Sequence, residues 1–277
     1  MNDLAEQFDQ HREHLTRVAY RMLGSSAEAE DAVQEAWFRL ARSDANAVAN
    51  LGGWLTTVVA RVCLDQLRAR RARREESVDD WLPEPVVSLD EGPEEQALLA
   101  DSVGVALLVV LETLTPAERL AFVLHDMFAV PFSEIAEILE RTPEAVRQLA
   151  SRARRRVRGA APKPDPDLAR QREVVAAFLA ASRGGDFDAL VEILDPDVVF
   201  RVRGRIQRLE VHGAEDVART VLERGTPFAH LGRPALVNGA AGVLVGSRER
   251  PLAVAAMTVR RGKIVSMDVI VSPTLAG

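Results

Sequence analysis

Between residues 147 and 158 the chain sets Arg147, Gln148, Ser151, Arg152, Arg154, Arg155 and Arg158 around an apolar stripe of Val146, Leu149, Ala153 and Val157. At helical periodicity the stripe faces inward and the basic, amide and hydroxyl groups face out. Such an array can hydrogen-bond base edges and neutralise phosphates. The preceding segment repeats the pattern, with Phe132, Ile135, Ile138 and Leu139 on one face. Between the two lies Thr142-Pro143, where a threonine hydroxyl can cap orphan amides and proline suits the first helical position. Two helices joined by a capped turn make a helix-turn-helix, whose second helix enters the major groove with its N-terminal residues toward the bases. Arg147 and Gln148 are then placed for bases and the later arginines for phosphates. Any arginine-rich helix can also be a plain solvated face; here the capped turn and the two matched stripes favour DNA.

The elements around this motif are mostly helical. A helix is expected over 4–23, with Leu4, Phe8, Leu15, Val18, Ala19 and Met22 inward, and Gly24 ends it. Ser25 to Glu28 has the spacing of a capping box and opens a second helix to about Arg42. There Val33, Ala36, Trp37 and Leu40 form a stripe opposite an acidic face of Glu30, Asp31, Gln34 and Glu35. Residues 43–53 read as a loop. A third helix from about Trp54 buries Leu55, Val58, Val59 and Val62 and ends in the basic run 68–74, RARRARR. Part of that charge suits the helix dipole, and a run so dense also seeks anions. Trp54 can stack on a base or belong to the core. Residues 75–95 are acidic, proline-punctuated and aperiodic, which is the composition of a linker. Trp81 and Leu82 within it are unusual for a passive tether. Helical periodicity resumes over 96–112, and Thr115 to Glu118 repeats the cap signature.

With 277 residues, 47% hydrophobic and 27% charged, the chain has the size of two or three domains and the composition of soluble globular protein. The net charge of −6 disfavours nucleic acid only as an average, since the arginines cluster at 68–74 and 147–158 while acids crowd 75–95; the local field governs binding. The single cysteine, Cys63, precludes an intrachain disulfide or a cysteine metal cluster and reads as a small core residue. The polar N-terminus lacks a signal-peptide pattern, and no stretch approaches the roughly twenty apolar residues of a membrane span. A cytoplasmic protein without cofactor or metal, and without membrane association, is expected.

The order of these elements resembles the extracytoplasmic-function sigma factors of the sigma-70 family. AEAEDAVQEAWFRLAR (27–42) is similar to the family's core-polymerase-binding helix, and GWLTTVVARVCLDQLRARR (53–71) to its reader of the −10 element. Residues 111–158 resemble region 4, the reader of the −35 element. The resemblance implies an all-α region 2 bundle over 1–75, a linker over 76–95 and an all-α region 4 helix-turn-helix over 96–159. It implies that Asp31, Gln34, Glu35 and Trp37 contact the clamp helices of the polymerase β′ subunit. By the same resemblance region 4 meets the β flap. The loop 43–53, with Asn46 and Asn50, would capture a flipped base beside Trp54, and Arg61, Asp65 and Arg68 would flank the melted strand. A positive groove with a pocket for an unstacked base offsets the cost of opening DNA. No catalytic residue is implied, because the polymerase does the chemistry. A helix-turn-helix regulator that never joins polymerase is the alternative, and the acidic helix argues against it.

After a proline-broken linker at 160–166, helices over 167–183 and 187–194 precede strands. Residues 234–246 read as a hairpin turning at Asn238-Gly239, and two further strands turn at Arg260-Arg261-Gly262. This is an α+β domain, 167–277, with a curved, mostly antiparallel sheet. It resembles the SnoaL-like cone carried by one branch of these sigma factors, the SigJ type. That branch has a linker W-L-P-E-P motif, matched by Trp81, Leu82, Pro83, Glu84 and Pro85, and a late N-G-x-x-G signature, matched by Asn238, Gly239 and Gly242. Its usual aspartate and glycine run is replaced here by Arg201-Val202-Arg203-Gly204-Arg205. SnoaL-like enzymes use acid/base pairs, for which Asp195, Asp197, His212, His230 and Asp268 are the candidates. The competing and favoured role is regulation through docking on the sigma domains, with a small molecule in the cone as a further partner the resemblance allows.

Overall fold

Gly24 and Ser25 make the first change of direction. The computed structural model describes residues 2–43, 50–76, 85–89, 105–160, 164–204, 208–247 and 250–271; of the positions singled out above, Asn46, Trp81, Leu82, Pro83, Glu84 and Arg205 lie outside them. Helix α1 (Asn2–Leu23) stops at Gly24, which takes a positive φ of 72°. Helix α2 (Ser26–Arg42) starts where the Ser25 hydroxyl accepts the Glu28 amide at 3.4 Å. The Glu28 carboxylate meets the guanidinium of Arg70 on α3 (Leu51–Glu76). Phe8, Leu15, Val18 and Met22 of α1, Val33, Ala36 and Leu40 of α2, and Leu55, Val59 and Cys63 of α3 are all buried. At about 1.5–3 kcal/mol for each large aliphatic side chain, this stripe-on-stripe packing is what holds three helices of ordinary propensity together.

Helix α3 starts earlier than its composition suggests. Asn50 caps it: its side-chain oxygen accepts the Gly53 amide and its carbonyl the Trp54 amide, each at 3.0 Å. Gly52, expected in the loop, lies in the first turn against the His11 ring, where a Cβ would come within 3.0 Å.

Four further helices follow: α4 (Val105–Leu111), α5 (Pro116–Phe122), α6 (Phe132–Leu139) and α7 (Pro143–Ala160). A complete capping box opens α5. The Thr115 hydroxyl accepts the Glu118 amide at 3.3 Å, and Glu118 returns to the Thr115 amide at 3.0 Å. The next turn, Val123–Met127, is wound as a π-helix, and Ala129 just beyond it takes a φ of 56°. Met1–Asp79 and Leu108–Gly159 form one compact unit. Within it α3 packs on α5 and α6, and α1 meets the π turn. Arg21 lies 4.8 Å over the Phe128 ring, and His14 meets that ring edge-on at 5.3 Å. Burial, with Arg17, His11 and Arg21 close by, pushes the His14 imidazole below its ordinary value. The Cys63 thiol is pushed up to about 12 by burial against a weaker opposing pull from Arg119, so it is a core residue rather than a nucleophile.

The second unit comprises Asp80–Leu107 and Ala160–Gly277. Helices α8 (Leu168–Gly184), α9 (Phe187–Ile193), α10 (Ala214–Thr220) and α11 (Thr226–Ala229) accompany strands β2 (Leu194–Arg203), β3 (Arg208–His212), β4 (Gly232–Val237), β5 (Ala240–Gly246), β6 (Pro251–Arg260) and β7 (Lys263–Val271). A seventh strand, β1 (Val87–Ser88), comes from the segment read as linker. The sheet order is β1-β4-β5-β6-β7-β2-β3, antiparallel except for β2 with β7. Both expected hairpins are present: Asn238-Gly239 turns with φ of 48° and 75°, and Arg261-Gly262 with 53° and 74°. Phe178 and Leu179 of α8 pack with Phe200, Val243, Met257 and Met267 on the helix-covered face of the sheet. This is the expected α+β architecture with a mostly antiparallel sheet. Among the described residues no helix is long and apolar enough to cross a membrane.

Candidate functional site

Helix α7 is seated by the sequence features that announced it. The Thr142 hydroxyl accepts the Ala145 amide at 3.3 Å, worth about 1 kcal/mol of helix stability. Val146, Ala150 and Ala153 are fully buried. Arg147, Gln148, Ser151, Arg152 and Arg155 are exposed, side by side on the outer surface of the helix. Arg147 also reaches Glu144 at 3.3 Å and lies 5.6 Å over the Phe132 ring, which is stacked at 3.7 Å on His125. That brace holds Arg147 at the start of α7, beside the turn.

Arg154 departs from the expected assignment. Its Nε donates to Asp126 at 2.6 Å, and its side chain is two-thirds buried. The π turn swings Asp126 under α7, so this guanidinium ties the recognition helix to its scaffold. Arg156 is tied likewise, to Glu118 at 3.0 Å and the Thr113 carbonyl at 3.4 Å. Burial pushes the Glu118 carboxyl up, but the Thr115 amide and hydroxyl and the charges of Arg156 and Arg152 outweigh it and hold it below the carboxylate norm.

On α3, Trp54, Arg61, Asp65 and Arg68 recur at three-, four- and seven-residue spacing, so they share one face. Arg61, Asp65 and Arg68 are exposed and Trp54 half-buried, and Asp65 pairs with Arg68 at 3.5 Å. The structure thus brings these four together. Asn50 is adjacent but occupied in capping the helix.

On α2, Asp31 and Gln34 are exposed and Glu35 is half-exposed, paired with Arg39 at 2.9 Å. Trp37 does not join them: its ring packs on Phe8 at 5.1 Å, as its place in the apolar stripe requires. The apolar group on the outer face is its neighbour Phe38, 46% exposed, one turn or two from Asp31, Gln34 and Glu35. The sequence did hold the signal, because position 38 falls off the 33-36-37-40 stripe.

In the second unit, Asn238 meets the linker directly. The Val86 amide donates to its side-chain oxygen at 2.7 Å, and the Asn238 amide donates to the Val86 carbonyl at 2.9 Å. Gly242 is required by close approach, since a Cβ there would lie 2.6 Å from the Ala255 carbonyl oxygen. The acid/base candidates are dispersed. Asp195 accepts the Asp197 amide at 3.0 Å within β2, where the register with β7 shifts; His212 is exposed and bonded to Glu210 at 3.0 Å; His230 is exposed on a loop. Asp268 is buried but alternates with Met267, and so lies on the sheet face away from the helices. Burial pushes its carboxyl up against the opposing charges of Arg201, 3.5 Å away, and Arg203. These carboxylates and imidazoles are not gathered into an acid/base pair.

Comparison with known proteins agrees with this layout. Residues 7–73 match the family model for sigma-70 region 2, and residues 104–157 that for sigma-70 region 4. The chain is 42% identical to the ECF RNA polymerase sigma factor SigJ of Mycobacterium tuberculosis, over 96% of this chain and 91% of that protein. It is 36% identical to the probable ECF RNA polymerase sigma factor SigI of the same species, over 95% and 91%. The crystal structure of Mycobacterium tuberculosis SigJ superposes with a TM-score of 0.76 at 38% identity, covering 98% of this chain and 97% of that one.

Proposed function

The chain belongs to the extracytoplasmic-function sigma factors of the sigma-70 family, and from that premise we propose how its surfaces divide the work of an alternative RNA polymerase sigma factor in transcription initiation. Asp31, Gln34, Glu35 and Phe38 on α2 hold the polymerase core at the clamp helices, with Phe38 as the apolar anchor and the acids as a rim. The Trp54–Arg61–Asp65–Arg68 face of α3 lies along the melted −10 strand: the arginines follow phosphates, and Trp54 is the stacking surface. Helix α7 reads the −35 element with Arg147, Gln148, Ser151 and Arg152, while Arg155 holds phosphate.

The second unit regulates. The supporting observation is the strand that the interdomain linker contributes to the C-terminal sheet, because any rearrangement of the sigma domains is transmitted through that linker. The helix-covered face of the sheet is filled by Phe178, Phe200, Met257 and Met267, and the acid/base candidates lie elsewhere. Regulation by protein contact is therefore favoured over turnover of a small molecule.

The observation that supports the promoter reading is the sorting of the α7 side chains: Arg147, Gln148, Ser151, Arg152 and Arg155 are exposed and side by side, whereas Arg154 is two-thirds buried on Asp126 and Arg156 is paired with Glu118. Selection from randomised promoter DNA by core polymerase charged with this chain tests it. Wild type should enrich one −35 sequence, and the Arg147→Ala/Arg152→Ala variant should lose preference there while keeping the −10 preference. An unchanged −35 preference in the double variant would remove α7 from base reading.

A further inference from the structure

Helix α7 is mounted on the π turn through two consecutive side chains, His125 and Asp126. Just beyond that turn the chain reverses. The Ala129 amide donates to the His125 carbonyl at 3.1 Å and the Val130 amide to the Leu124 carbonyl at 2.9 Å. The reversal brings the Val130 carbonyl to the His125 ring, whose Nδ1 donates to it at 3.0 Å. So fixed, the imidazole stacks on Phe132, the first residue of α6, with ring centroids 3.7 Å apart and planes inclined by 26°. The Arg147 guanidinium lies over the same phenyl ring at 5.6 Å, close enough for a cation to be drawn to an aromatic face. Asp126 holds Arg154 at 2.6 Å. Arg147 and Arg154 stand about two helical turns apart, on one side of α7, so the π turn restrains that side at two points.

We infer that Phe132, backed by His125, is a positioning residue for promoter recognition: it presets Arg147 and so determines how sharply the base pair facing that arginine is selected. This rests on the assignment of α7 to the −35 element. Arginine identifies a base through paired, coplanar hydrogen bonds, so selection depends on the plane and reach of the guanidinium. A long exposed side chain surrenders its rotamer freedom when it meets a base. One that already leans on a ring has surrendered part of it beforehand, and the saving appears in binding. Glu144 restrains Arg147 as well, at 3.3 Å, but both side chains are more than half exposed, and such a pair contributes little. The ring is the stronger restraint. Phe132 is only half-buried, while Ile135, Ile138 and Leu139 anchor α6 in the core, so the ring can be changed without removing what holds the helix.

Selection from promoter DNA randomised over the −35 element, by core polymerase charged with the full chain, tests this. Arg147→Ala identifies the base pair that Arg147 reads, as the position whose preference is lost. Phe132→Leu keeps an apolar side chain at the head of α6 and should reduce the preference at that same position by about two- to fivefold, the strength of an exposed cation–ring contact. The other −35 positions should be unchanged. Phe132→Tyr keeps the ring and should keep the preference. In the Arg147→Ala background Phe132→Leu should change nothing at that position. His125→Gln retains a donor for the Val130 carbonyl and removes the stack, and should move the same position in the same direction; it decides the matter if Phe132→Leu lowers the melting temperature. A uniform fall across all −35 positions, an undiminished preference at the Arg147 position, or a Tyr variant as relaxed as the Leu variant overturns the positioning role alone. If Arg147→Ala leaves every −35 preference in place, the assignment of α7 falls and this inference with it.

Discussion

Arg152 and Arg154 stand two positions apart on α7 and have different duties. Arg152 is exposed on the outer surface, whereas Arg154 is spent on Asp126. Arg152→Ala should weaken binding to the cognate promoter duplex by about 1–3 kcal/mol with the melting temperature unchanged. Arg154→Ala should cost less than about 1 kcal/mol of stability, the pair being partly solvated, and leave sequence preference intact. Fluorescence anisotropy and thermal unfolding separate the two; an equal loss of affinity in both variants would return Arg154 to the DNA surface. Glu118 gives a pH prediction. Its carboxyl is held below the ordinary value of 4.5, so its contribution is fully present above that value and is lost as pH falls through the lowered folded-state value. Glu118→Gln should therefore lower stability at neutral pH, by about 1–2 kcal/mol for the damaged cap, and the gap to wild type in thermal unfolding should close in acid. A gap that persists unchanged to low pH would show that the charge of Glu118 contributes nothing.

At the scale of the element, α2 shows what a stripe means. Trp37→Ala removes a ring packed on Phe8 and should destabilise the fold by about 1–3 kcal/mol. Phe38→Ala should leave stability within about 0.5 kcal/mol and yet weaken capture by core polymerase by more than about 1 kcal/mol. Co-purification with core enzyme beside thermal unfolding measures both, and full capture by the Phe38 variant would remove this residue from the interface. The helix was legible in the sequence because its apolar period is regular, and the same period decides which of two adjacent aromatics faces out. The helix-turn-helix was legible for the same reason, with Thr142-Pro143 as punctuation. Less legible was the π turn at Val123–Met127, where Ala129 takes a positive φ without a glycine to signal it; the fate of Arg154 depends on that turn. The start of α3 is obscured in the sequence because two glycines look like a loop, whereas Asn50 caps them into a helix. Strand β1 could not be read at all, since two residues have no period and their partner lies some 150 residues away in sequence.

For the whole molecule, the chain combines a helical unit that carries both DNA readers with an α+β unit that carries part of the linker between them. The proposed division of labour gives each surface one step: α2 for polymerase, α3 for the melted strand and α7 for the upstream element, while Asn238 bonds the linker at Val86. Residues 162–277 should alter initiation without being needed for it. A chain ending at Ala161, tested beside the full chain, should still support promoter-dependent transcription but at a different level, and identical levels would leave the last third without a regulatory role. The most direct measurement is run-off transcription with core RNA polymerase, a promoter library and the full chain as the sole source of promoter specificity. The result expected is discrete transcripts that require the chain and vanish with Glu35→Lys/Phe38→Ala. Core polymerase that stays silent while the chain still binds DNA would contradict the sigma role and leave a DNA-binding regulator in its place.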